Sequence, residues 1–296
     1  MSTLLPLTQR EGYIWMNGEW IEWKTAQVHL LTHGLHYGSS VFEGVRMYNG
    51  KVFKNTEHNV RFKKSAELLG FTIPYSTEEL DEICTLACKK NGLTNAYLRP
   101  VAWLGGETLK IYIPELSVNV AVAAWEMGNY FTAEAKLEGI RATLADYKRP
   151  SPETAPCASK AAGLYMICTI SKRKAHNAGY DDALMLDYRG YIAEFTGANI
   201  FLIINGEIHT PVADAFLNGI TRLTVIDLAK KLGYTVVERH ILPSELSTAS
   251  DVFLTGTAAE ITRVKHINMQ NGTEHNFKAH SITQNLVKAF HELVNG

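Results

Sequence analysis

Several features that would assign this sequence of 296 residues to a special class of protein are absent. Basic and acidic residues nearly balance, and the formal net charge of -1 gives no bulk electrostatic reason to bind nucleic acid or an anionic membrane. No apolar run approaches the roughly 18 residues that span a bilayer. The first residues lack a basic segment followed by an apolar one, so we expect no signal peptide and a cytoplasmic location.

Cysteine is scarce, and its spacing matches neither a zinc site nor a redox pair. The sequence has 4 cysteines, without a Cys-x-x-Cys pair or a zinc-type Cys/His set, and we expect free thiols. Cys84 and Cys88 lie one helical turn apart, which predicts packing in a core. His33-x-x-His36 has the spacing of half a metal site, but the sequence offers no second half. We therefore predict a structural turn there and no bound metal.

Two nucleotide-binding motifs are also missing. No Gly-x-Gly-x-x-Gly follows a predicted strand, and no Gly-x-x-x-x-Gly-Lys-[Ser/Thr] occurs, which disfavours a dinucleotide fold and a P-loop. What is present is ordinary for a globular protein: 46% hydrophobic and 20% charged residues. The length is sufficient for a sizeable core and for two domains.

Turn and capping signals predict hairpins and helices in both halves. Asn-Gly pairs suit the positive φ values of type I′ turns. They predict that Tyr13–Met16 pairs with Glu19–Trp23, Val45–Tyr48 with Lys51–Phe53, and Ile200–Ile204 with Glu207–His209. Further strands are predicted at Val118–Trp125, Tyr234–Glu238 and Asp251–Leu254.

Helices are predicted from the Ser76-x-x-Glu79 capping box to Asn91, from a cap at Asn55 or Thr56 to Leu69, from about Thr221 to Leu232, and from His280 to Val294. Because hairpins alternate with helices, we predict an α+β protein with two domains. The smaller N-terminal domain is predicted at residues 1–130 and the larger C-terminal domain at 138–296. Residues 131–137 are predicted to connect them.

Three charged residues, Lys160, Arg99 and Glu194, stand alone in apolar segments. A buried charge is costly unless it is paired, neutralised or used. One interpretation is a local salt bridge, or a strand end in water, for each of them. Taken together, a lysine, an arginine and a glutamate suit a common polyionic ligand.

Pyridoxal phosphate has the matching chemistry. Its aldehyde needs a lysine amine, its pyridine nitrogen a carboxylate, and its phosphate an arginine and a helix N-terminus. Asn218–Thr221 opens a predicted helix, and Thr255–Ala259 follows a predicted strand, so the amides of either segment suit a phosphate.

An ordered set of motifs runs along nearly the whole chain. They are Leu35-His-Tyr-Gly-Ser-Ser-Val-Phe-Glu-Gly-Val-Arg46, Glu57-His-Asn-Val-Arg-Phe62, Ala96-Tyr-Leu-Arg-Pro100, Ser159-Lys-Ala-Ala-Gly-Leu-Tyr165, Gly190-Tyr-Ile-Ala-Glu-Phe-Thr-Gly-Ala-Asn-Ile-Phe201, Leu217-Asn-Gly-Ile-Thr-Arg222 and Leu254-Thr-Gly-Thr-Ala-Ala-Glu260. With them the sequence resembles the branched-chain amino-acid aminotransferases, which are fold-type-IV pyridoxal-phosphate enzymes. The resemblance implies their two-domain α+β fold, which is like that of D-amino-acid aminotransferase, and pyridoxal 5'-phosphate as cofactor.

The resemblance also implies which residues bind the cofactor. Lys160 is expected to be the catalytic Schiff-base lysine, Tyr165 to bind the phenolic oxygen, and Glu194 to bind the pyridine nitrogen. Arg61 is expected to bind the phosphate, although its place on a polar helix face would by itself predict a solvated charge. Further cofactor contacts are expected from Leu217, Gly219, Ile220, Thr221, Gly256 and Thr257.

The substrate-binding residues implied by the resemblance are Phe42, Tyr97, Arg99, Tyr130, Thr257 and Ala258. Tyr97 and the turn near Ala258 would hold the α-carboxylate. Phe42 and Tyr130 would wall an apolar pocket, and Arg99 would receive the distal carboxylate of glutamate. From the residues alone, core packing is the alternative for the aromatic side chains.

The implied activity is transamination between L-leucine, L-isoleucine or L-valine and 2-oxoglutarate, which gives branched-chain 2-oxo acids and L-glutamate in a ping-pong exchange. The expected partners are these small molecules and other copies of the chain in a homodimer or larger homo-oligomer, without nucleic acid or membrane. Two alternatives stay open. One is another fold-type-IV enzyme, a D-amino-acid aminotransferase or an aminodeoxychorismate lyase, and the other is a non-catalytic cofactor-binding protein.

Overall fold

The structure is a computed structural model that describes residues 6–108, 110–112, 114, 116–128, 130–278 and 281–296, with only the backbone at 133, 136 and 137. Its contacts divide the chain into two compact units. The first contains Met1–Gly128 and Ser159–Gly163, and the second contains Asn129–Ala158 and Leu164–Gly296. The domain boundaries predicted from the sequence stay a prediction, but this division differs from them at Ser159–Gly163. That segment, which carries Lys160, groups with the first unit and not with the C-terminal part of the chain.

The first unit is built on a seven-stranded antiparallel sheet. Its strands are β1 (Tyr13–Met16), β2 (Glu19–Glu22), β3 (Ser40–Phe42), β4 (Val45–Tyr48), β5 (Lys51–Val52), β6 (Ala96–Leu104) and β7 (Val118–Trp125), and its helices are α1 (His33–Tyr37), α2 (Asn55–Leu68) and α3 (Thr77–Lys90). The strand order is β2-β1-β7-β6-β4-β5, and β3 also pairs with β6. Helices α2 and α3 cover the sheet, and Phe62, Leu80 and Leu98 are among the buried residues of this core.

The second unit is built on a nine-stranded mixed sheet. Its strands are β8 (Ile140–Leu144), β9 (Asp182–Leu186), β10 (Ile192–Phe195), β11 (Asn199–Ile204), β12 (Glu207–Thr210), β13 (Val236–Glu238), β14 (Asp251–Gly256), β15 (Glu260–Asn268) and β16 (Glu274–Asn276), and its helices are α4 (Ala133–Glu138), α5 (Met166–Asn177), α6 (Ile220–Lys231) and α7 (Ser281–Asn295). The order is β10-β9-β8-β15-β14-β11-β12-β13, with β16 on β15. Because β10 also pairs with β11, β10 and its neighbours through β11 form a closed ring.

The hairpins predicted at the three Asn-Gly pairs are confirmed. Asn17, Asn49 and Asn205 have φ values of 51°, 47° and 52°, and each following glycine also has a positive φ. These turns join β1 to β2, β4 to β5 and β11 to β12. The predicted α+β class is therefore confirmed in both units.

The capping box of α3 is also confirmed, because Ser76 and Glu79 exchange both predicted hydrogen bonds. The predicted cap of α2 is wrong. Helix α2 starts at Asn55, and its N-cap is Lys54 in a left-handed conformation, without a side-chain cap. The side chains of Asn55 and Thr56 instead bond to Asp81 of α3, at 2.9 Å and 2.5 Å. A tertiary contact has thus replaced the local cap.

The predicted ends of the remaining helices differ by at most one residue from those in the structure, wherever the residues are described. Helix α6 starts at Ile220, and α7 starts at Ser281, whereas the predicted first residue of α7, His280, lies outside the described residues. Cys84 and Cys88 are fully buried on α3, as predicted. His33 and His36 lie on the short helix α1, and His33 bonds through Nδ1 to Ser39 Oγ at 2.7 Å. Among the helices of the described residues, none has the length and apolar composition needed to cross a membrane.

Candidate active site

Lys160 is held by backbone and hydroxyl contacts with β3 and α2. Its backbone N–H donates to Ser65 Oγ at 3.0 Å, and its carbonyl accepts from Phe42 N–H at 3.2 Å. Ser159 Oγ donates to the Ser65 carbonyl at 2.9 Å. Ala161 forms an antiparallel bridge with Val41. These contacts fix the lysine on both sides in sequence, so its backbone is pre-organised within the first unit.

The amine of Lys160 has a lowered pKa and therefore loses its proton more readily than an ordinary lysine. Burial lowers the pKa of Lys160 to about 8, and the positive charge of Arg61 adds to this effect. The Nζ atom lies 5.1 Å from the centre of the Phe42 ring. A lysine in this environment has an accessible neutral amine, which both nucleophilic addition to an aldehyde and proton transfer require.

Arg61 is bound to a buried carboxylate, so the interpretation of a solvated charge is wrong. Its Nε and Nη2 donate to the two oxygens of Glu43, at 2.7 Å and 2.9 Å. His58 donates from Nδ1 to Glu43 at 2.7 Å, since a carboxylate can only accept. Glu43 is fully buried. We name Glu43, His58 and Arg61 the Glu43 cluster.

The charge state of the Glu43 cluster follows from its burial and its charges. Burial by itself raises the pKa of Glu43, but Arg61 and His58 outweigh it and hold that pKa well below its usual range. Burial lowers the pKa of His58, so its ring is neutral. Glu43 therefore stays ionised and fixes the Arg61 guanidinium. The sequence did not indicate this role, although Glu43 lies in one of the motifs. The pairing joins the β3–β4 connection to α2, which no local pattern shows.

We expect Glu43→Gln to lower the free energy of unfolding at pH 7 by about 3 kcal/mol, because Arg61 loses a buried ionic partner. The folded pKa of Glu43 is depressed, so its stabilisation is present above the ordinary value of 4.5 and is lost as pH falls toward the folded pKa. Urea titrations at pH 7 and near pH 4 check both statements. The matched control is Glu57→Gln on α2, whose side chain is 49% exposed. Equal stability losses for the two variants would contradict the assignment.

Three of the predicted substrate residues lie together with Lys160 in the first unit. The Arg99 guanidinium carbon lies 4.7 Å from the centre of the Phe42 ring, and Arg99 Nη2 donates to the Tyr97 hydroxyl at 3.0 Å. Arg99 Nε is buried without a hydrogen-bond partner among the described residues. A Cβ at Gly44 would overlap the Tyr97 hydroxyl, so glycine is needed there for Tyr97 to reach its position.

In the second unit, Glu194 lies in a row of polar residues across three adjacent strands. Glu194 of β10 pairs with Asn199 of β11, which pairs with Thr255 of β14. Asn199 Nδ2 donates to Glu194 at 3.3 Å and to the Leu217 carbonyl at 3.1 Å. The Thr255 hydroxyl is buried and has no hydrogen-bond partner within the described ranges. Asn199 thus connects the predicted carboxylate to the segment that opens α6.

Arg149 is, like Glu43, a residue that the sequence analysis did not identify. Its Nε lies 3.3 Å from Glu194 Oε1, and its side chain is 5% exposed. Burial lowers the pKa of Arg149, but the charge of Glu194 outweighs it and raises that pKa. Arg149 therefore stays cationic and favours an ionised Glu194. In the sequence Arg149 directly follows Lys148, and adjacent basic residues are typical of a solvated surface.

The start of α6 and the turn after β14 are the two segments predicted to contact the phosphate. Helix α6 has Gly219 as its N-cap, and this residue has no side chain with which to cap the helix. A Cβ at Gly219 would overlap Asn199 Oδ1, which explains this glycine. Thr257 and Ala258 lie in the turn between β14 and β15 and are half-buried. A helix start of this kind favours an anion.

The predicted site residues thus divide between the two units. The first unit brings together Lys160, Arg61, Phe42, Tyr97 and Arg99. The second contains Tyr165, Glu194, Leu217, Gly219, Ile220, Thr221, Gly256, Thr257, Ala258 and Tyr130. The set contains an amine with a lowered pKa, a guanidinium, a carboxylate paired with a buried arginine and a helix start with glycine as its N-cap. These groups fit the aldehyde, the pyridine nitrogen and the phosphate of pyridoxal phosphate.

Comparisons with known proteins agree with this donor set. Residues 40–267 match the family described as amino-transferase class IV. A probable branched-chain-amino-acid aminotransferase of Rickettsia felis is 41% identical over 99% of this chain and 99% of its own. The branched-chain amino acid aminotransferase structure of Escherichia coli has a TM-score of 0.92 and 38% identity, and covers 97% of this chain and 96% of its own.

A third relative was solved with a cofactor derivative. The T.th. branched-chain amino acid aminotransferase complexed with N-(5'-phosphopyridoxyl)-L-glutamate has a TM-score of 0.88 and 37% identity, over 97% of this chain and 95% of its own. The resemblance and the fold predicted from the sequence are confirmed. This chain belongs to the class IV amino-transferases and, within them, to the branched-chain-amino-acid aminotransferase family.

Proposed function

We propose that this protein is a branched-chain-amino-acid transaminase (EC 2.6.1.42). It exchanges the amino group between L-leucine, L-isoleucine or L-valine and 2-oxoglutarate, with pyridoxal 5'-phosphate as cofactor. The observation that carries the proposal is the half-buried Lys160, fixed by Ser65 and lying against Phe42, whose pKa of about 8 suits both cofactor attachment and proton transfer. The names of the relatives, which are aminotransferases of this specificity, support it.

When bound, pyridoxal phosphate supplies an aldehyde that takes up the amino group and a pyridine ring that accepts the electron pair left on Cα. Lys160 would hold the cofactor through this aldehyde, and its amine, when neutral, would move the proton at Cα. The Glu194 carboxylate would accept a hydrogen bond from the protonated pyridine nitrogen. Arg149 and Asn199 orient Glu194 and favour its ionised form.

Binding of the cofactor's other groups follows from the same residues. Arg61, fixed by Glu43, would bind the phosphate. The first amides of α6 and Thr257 would also favour an anion. The Tyr165 hydroxyl would donate a hydrogen bond to the phenolic oxygen of the ring. Tyr165 lies near enough to Arg149 to raise its pKa, so Arg149 acts on both Tyr165 and Glu194.

The substrate is recognised by groups of two kinds. The Tyr97 hydroxyl and the turn near Ala258 hold the α-carboxylate that all substrates share. Phe42 and Tyr130 border the apolar side chain of leucine, isoleucine or valine. Arg99 lies against Phe42 and presents its guanidinium to the distal carboxylate of glutamate. These groups would therefore accept an apolar side chain and an acidic one in turn.

The proposal includes a homodimer or larger homo-oligomer in the cytoplasm. An apolar stretch of the first unit supports self-association, because its large side chains are exposed in the single chain. These residues are Val28, Leu30, Leu31, Leu35 and Tyr37, and Leu30 is 72% exposed. Surfaces of this kind are typical of protein interfaces.

An absorbance titration tests the proposed function. Purified holoenzyme is expected to lose the absorbance band of the aldehyde form of the cofactor and to gain that of the aminated form when L-leucine is added. Added 2-oxoglutarate is expected to reverse the change. D-alanine is the matched control for a D-amino-acid aminotransferase, and aminodeoxychorismate, followed by product analysis, is the control for the lyase. A response to either of these and none to L-leucine would refute the proposal, and no response to any amino donor would favour a non-catalytic protein.

Arg99→Leu is expected to raise the KM for glutamate and 2-oxoglutarate by roughly ten- to a hundredfold, and that for leucine much less. A charge-assisted pair with the distal carboxylate is worth about 1.5–3 kcal/mol, and leucine cannot form it. The two half-reactions are measured separately with leucine and glutamate. Arg99 also bonds to Tyr97, so Tyr97→Phe serves as control for an effect on the shared α-carboxylate. Equal losses for both donors would reject the distal-carboxylate role.

A further inference from the structure

A buried ion pair of the second unit contacts Tyr130 and has no part in the site described above. Lys172 of α5 donates from Nζ to Asp182 Oδ2 at 2.9 Å and to the Tyr130 hydroxyl at 3.0 Å. The same Nζ lies 4.7 Å from the centre of the Tyr130 ring. Asp182 is 1% exposed, whereas the Lys172 side chain is 33% exposed. Lys172 therefore joins a buried carboxylate to a tyrosine at the surface.

Asp182 also fixes the turn that follows β10. Its Oδ1 accepts from the Thr196 hydroxyl at 2.5 Å and from the Ala183 N–H at 2.8 Å. Thr196 stands two residues after Glu194, and the turn Thr196–Ala198 leads into β11. A Cβ at Gly197 would lie 3.8 Å from the Tyr130 hydroxyl. One carboxylate thus holds Lys172 on one side and, on the other, the turn against which Tyr130 lies.

Tyr130 depends on this support, because little else fixes the far end of its ring. The neighbouring residue, Phe131, is buried and holds the backbone in place. Its ring meets the Tyr130 ring edge-on, with 4.8 Å between the ring centres. Tyr130 itself is 40% exposed and lies outside helices and strands. Its hydroxyl has one hydrogen bond in the part of the chain that the structure describes, and the donor is Lys172.

Lys172 keeps its charge in this place. Burial lowers the pKa of Lys172, but the charge of Asp182 and the hydrogen bond to the Tyr130 hydroxyl outweigh burial and raise that pKa. A cation at this position holds the hydroxyl by a charge-assisted bond and the ring by a cation–π contact. The orientation of Tyr130 is thereby fixed by Lys172.

We propose that Lys172, anchored by Asp182, is a positioning residue that holds Tyr130 as a wall of the side-chain pocket and thereby sets the affinity for branched donors. The inference rests on the proposed function, in which Tyr130 borders the substrate side chain. A freely rotating Tyr130 would leave the pocket open on that side. Binding of a long apolar side chain would then lose contact area, whereas the steps at Cα would be unaffected.

The test compares Lys172→Met with wild-type holoenzyme, using leucine and alanine as donors. We expect the KM for leucine to rise about tenfold with kcat changed by less than about twofold. The KM for alanine is expected to change far less, because its methyl group is too short to need the wall. Lys172→Arg keeps the cation and is expected to restore most of the affinity for leucine. Lys174→Met is the matched control, since Lys174 lies on the same helix, is exposed and pairs with Asp146.

The same substitution in a Tyr130→Ala enzyme shows whether Lys172 acts through Tyr130. In a Tyr130→Ala enzyme, Lys172→Met is expected to change the KM for leucine by less than about twofold, because the wall is already gone. An undiminished effect in that background would overturn the inference. An unchanged KM for leucine in Lys172→Met, or an increase for glutamate alone, would also overturn it. A wild-type enzyme that turns over no branched donor would refute the proposed function itself, and the inference would fall with it.

Discussion

Lys160→Ala is expected to abolish transamination, with a loss of at least about a thousandfold in kcat/KM for leucine. Lys160 is fixed on both sides in sequence by Ser65 and β3, and its pKa of about 8 makes a neutral amine available. In our proposal the same amine holds the cofactor and moves the proton of Cα, so its removal stops two steps at once. The assay is the single-turnover half-reaction with leucine. Lys64→Ala, an exposed lysine of α2, is the control.

We do not expect the loss of activity in Lys160→Ala to come from unfolding. The stability of a Lys160 variant, measured without cofactor, checks this. The folded pKa of Lys160 is lowered from 10.5 to about 8, so below pH 8 the folded apoprotein must bury a cation. Lys160→Met is therefore expected to raise the free energy of unfolding at pH 7 by on the order of 1–3 kcal/mol. That gain shrinks as pH rises from 8 toward 10.5, where the unfolded lysine also becomes neutral. A well-folded Lys160→Ala enzyme with substantial turnover would contradict the central assignment.

Glu194→Gln is expected to cut turnover at least about a hundredfold at full cofactor occupancy. A neutral amide cannot stabilise a protonated pyridine nitrogen, so the ring accepts electrons poorly. The measurement is the rate of the leucine half-reaction with saturating pyridoxal phosphate. Glu207→Gln, an exposed carboxylate of the same unit, is the control. Near-wild-type turnover of the fully loaded variant would exclude this role.

The ion pair with Arg149 gives this variant a second effect. Removing the charge of Glu194 leaves a buried guanidinium without its ionic partner, which is expected to cost about 2 kcal/mol of stability. The double variant with Arg149→Met is expected to regain much of that stability and none of the turnover. Recovery of turnover in the double variant would mean that Glu194 serves only to balance Arg149.

The local elements of the fold could be read directly from the sequence. Asn-Gly turns and the Ser76–Glu79 capping box are short-range signals, because the residues that satisfy them are at most a few positions apart. The start of α2 was predicted incorrectly for the opposite reason. Asn55 and Thr56 have local capping ability, but their side chains found a partner on α3 that no local pattern contains.

For the active site, the sequence was enough to indicate the chemically distinctive residues and the family to which they point. Lys160, Arg99 and Glu194 are single charges in apolar segments, and ordered motifs around them carry the resemblance. The partners of Glu194 and of the other buried charges became visible only in the fold. Glu43 meets Arg61, Arg149 meets Glu194, and Asp182 joins Lys172 to the turn at Thr196.

The physical reason is that a buried charge is stabilised by whichever opposite charge the packing brings within hydrogen-bond distance. Arg149 and Glu194 are separated by dozens of residues in the chain and lie 3.3 Å apart in the structure. The sequence shows that such a charge must have a partner, because its desolvation is too costly otherwise. Only the fold shows which partner it has, and therefore which pKa values and orientations the site obtains.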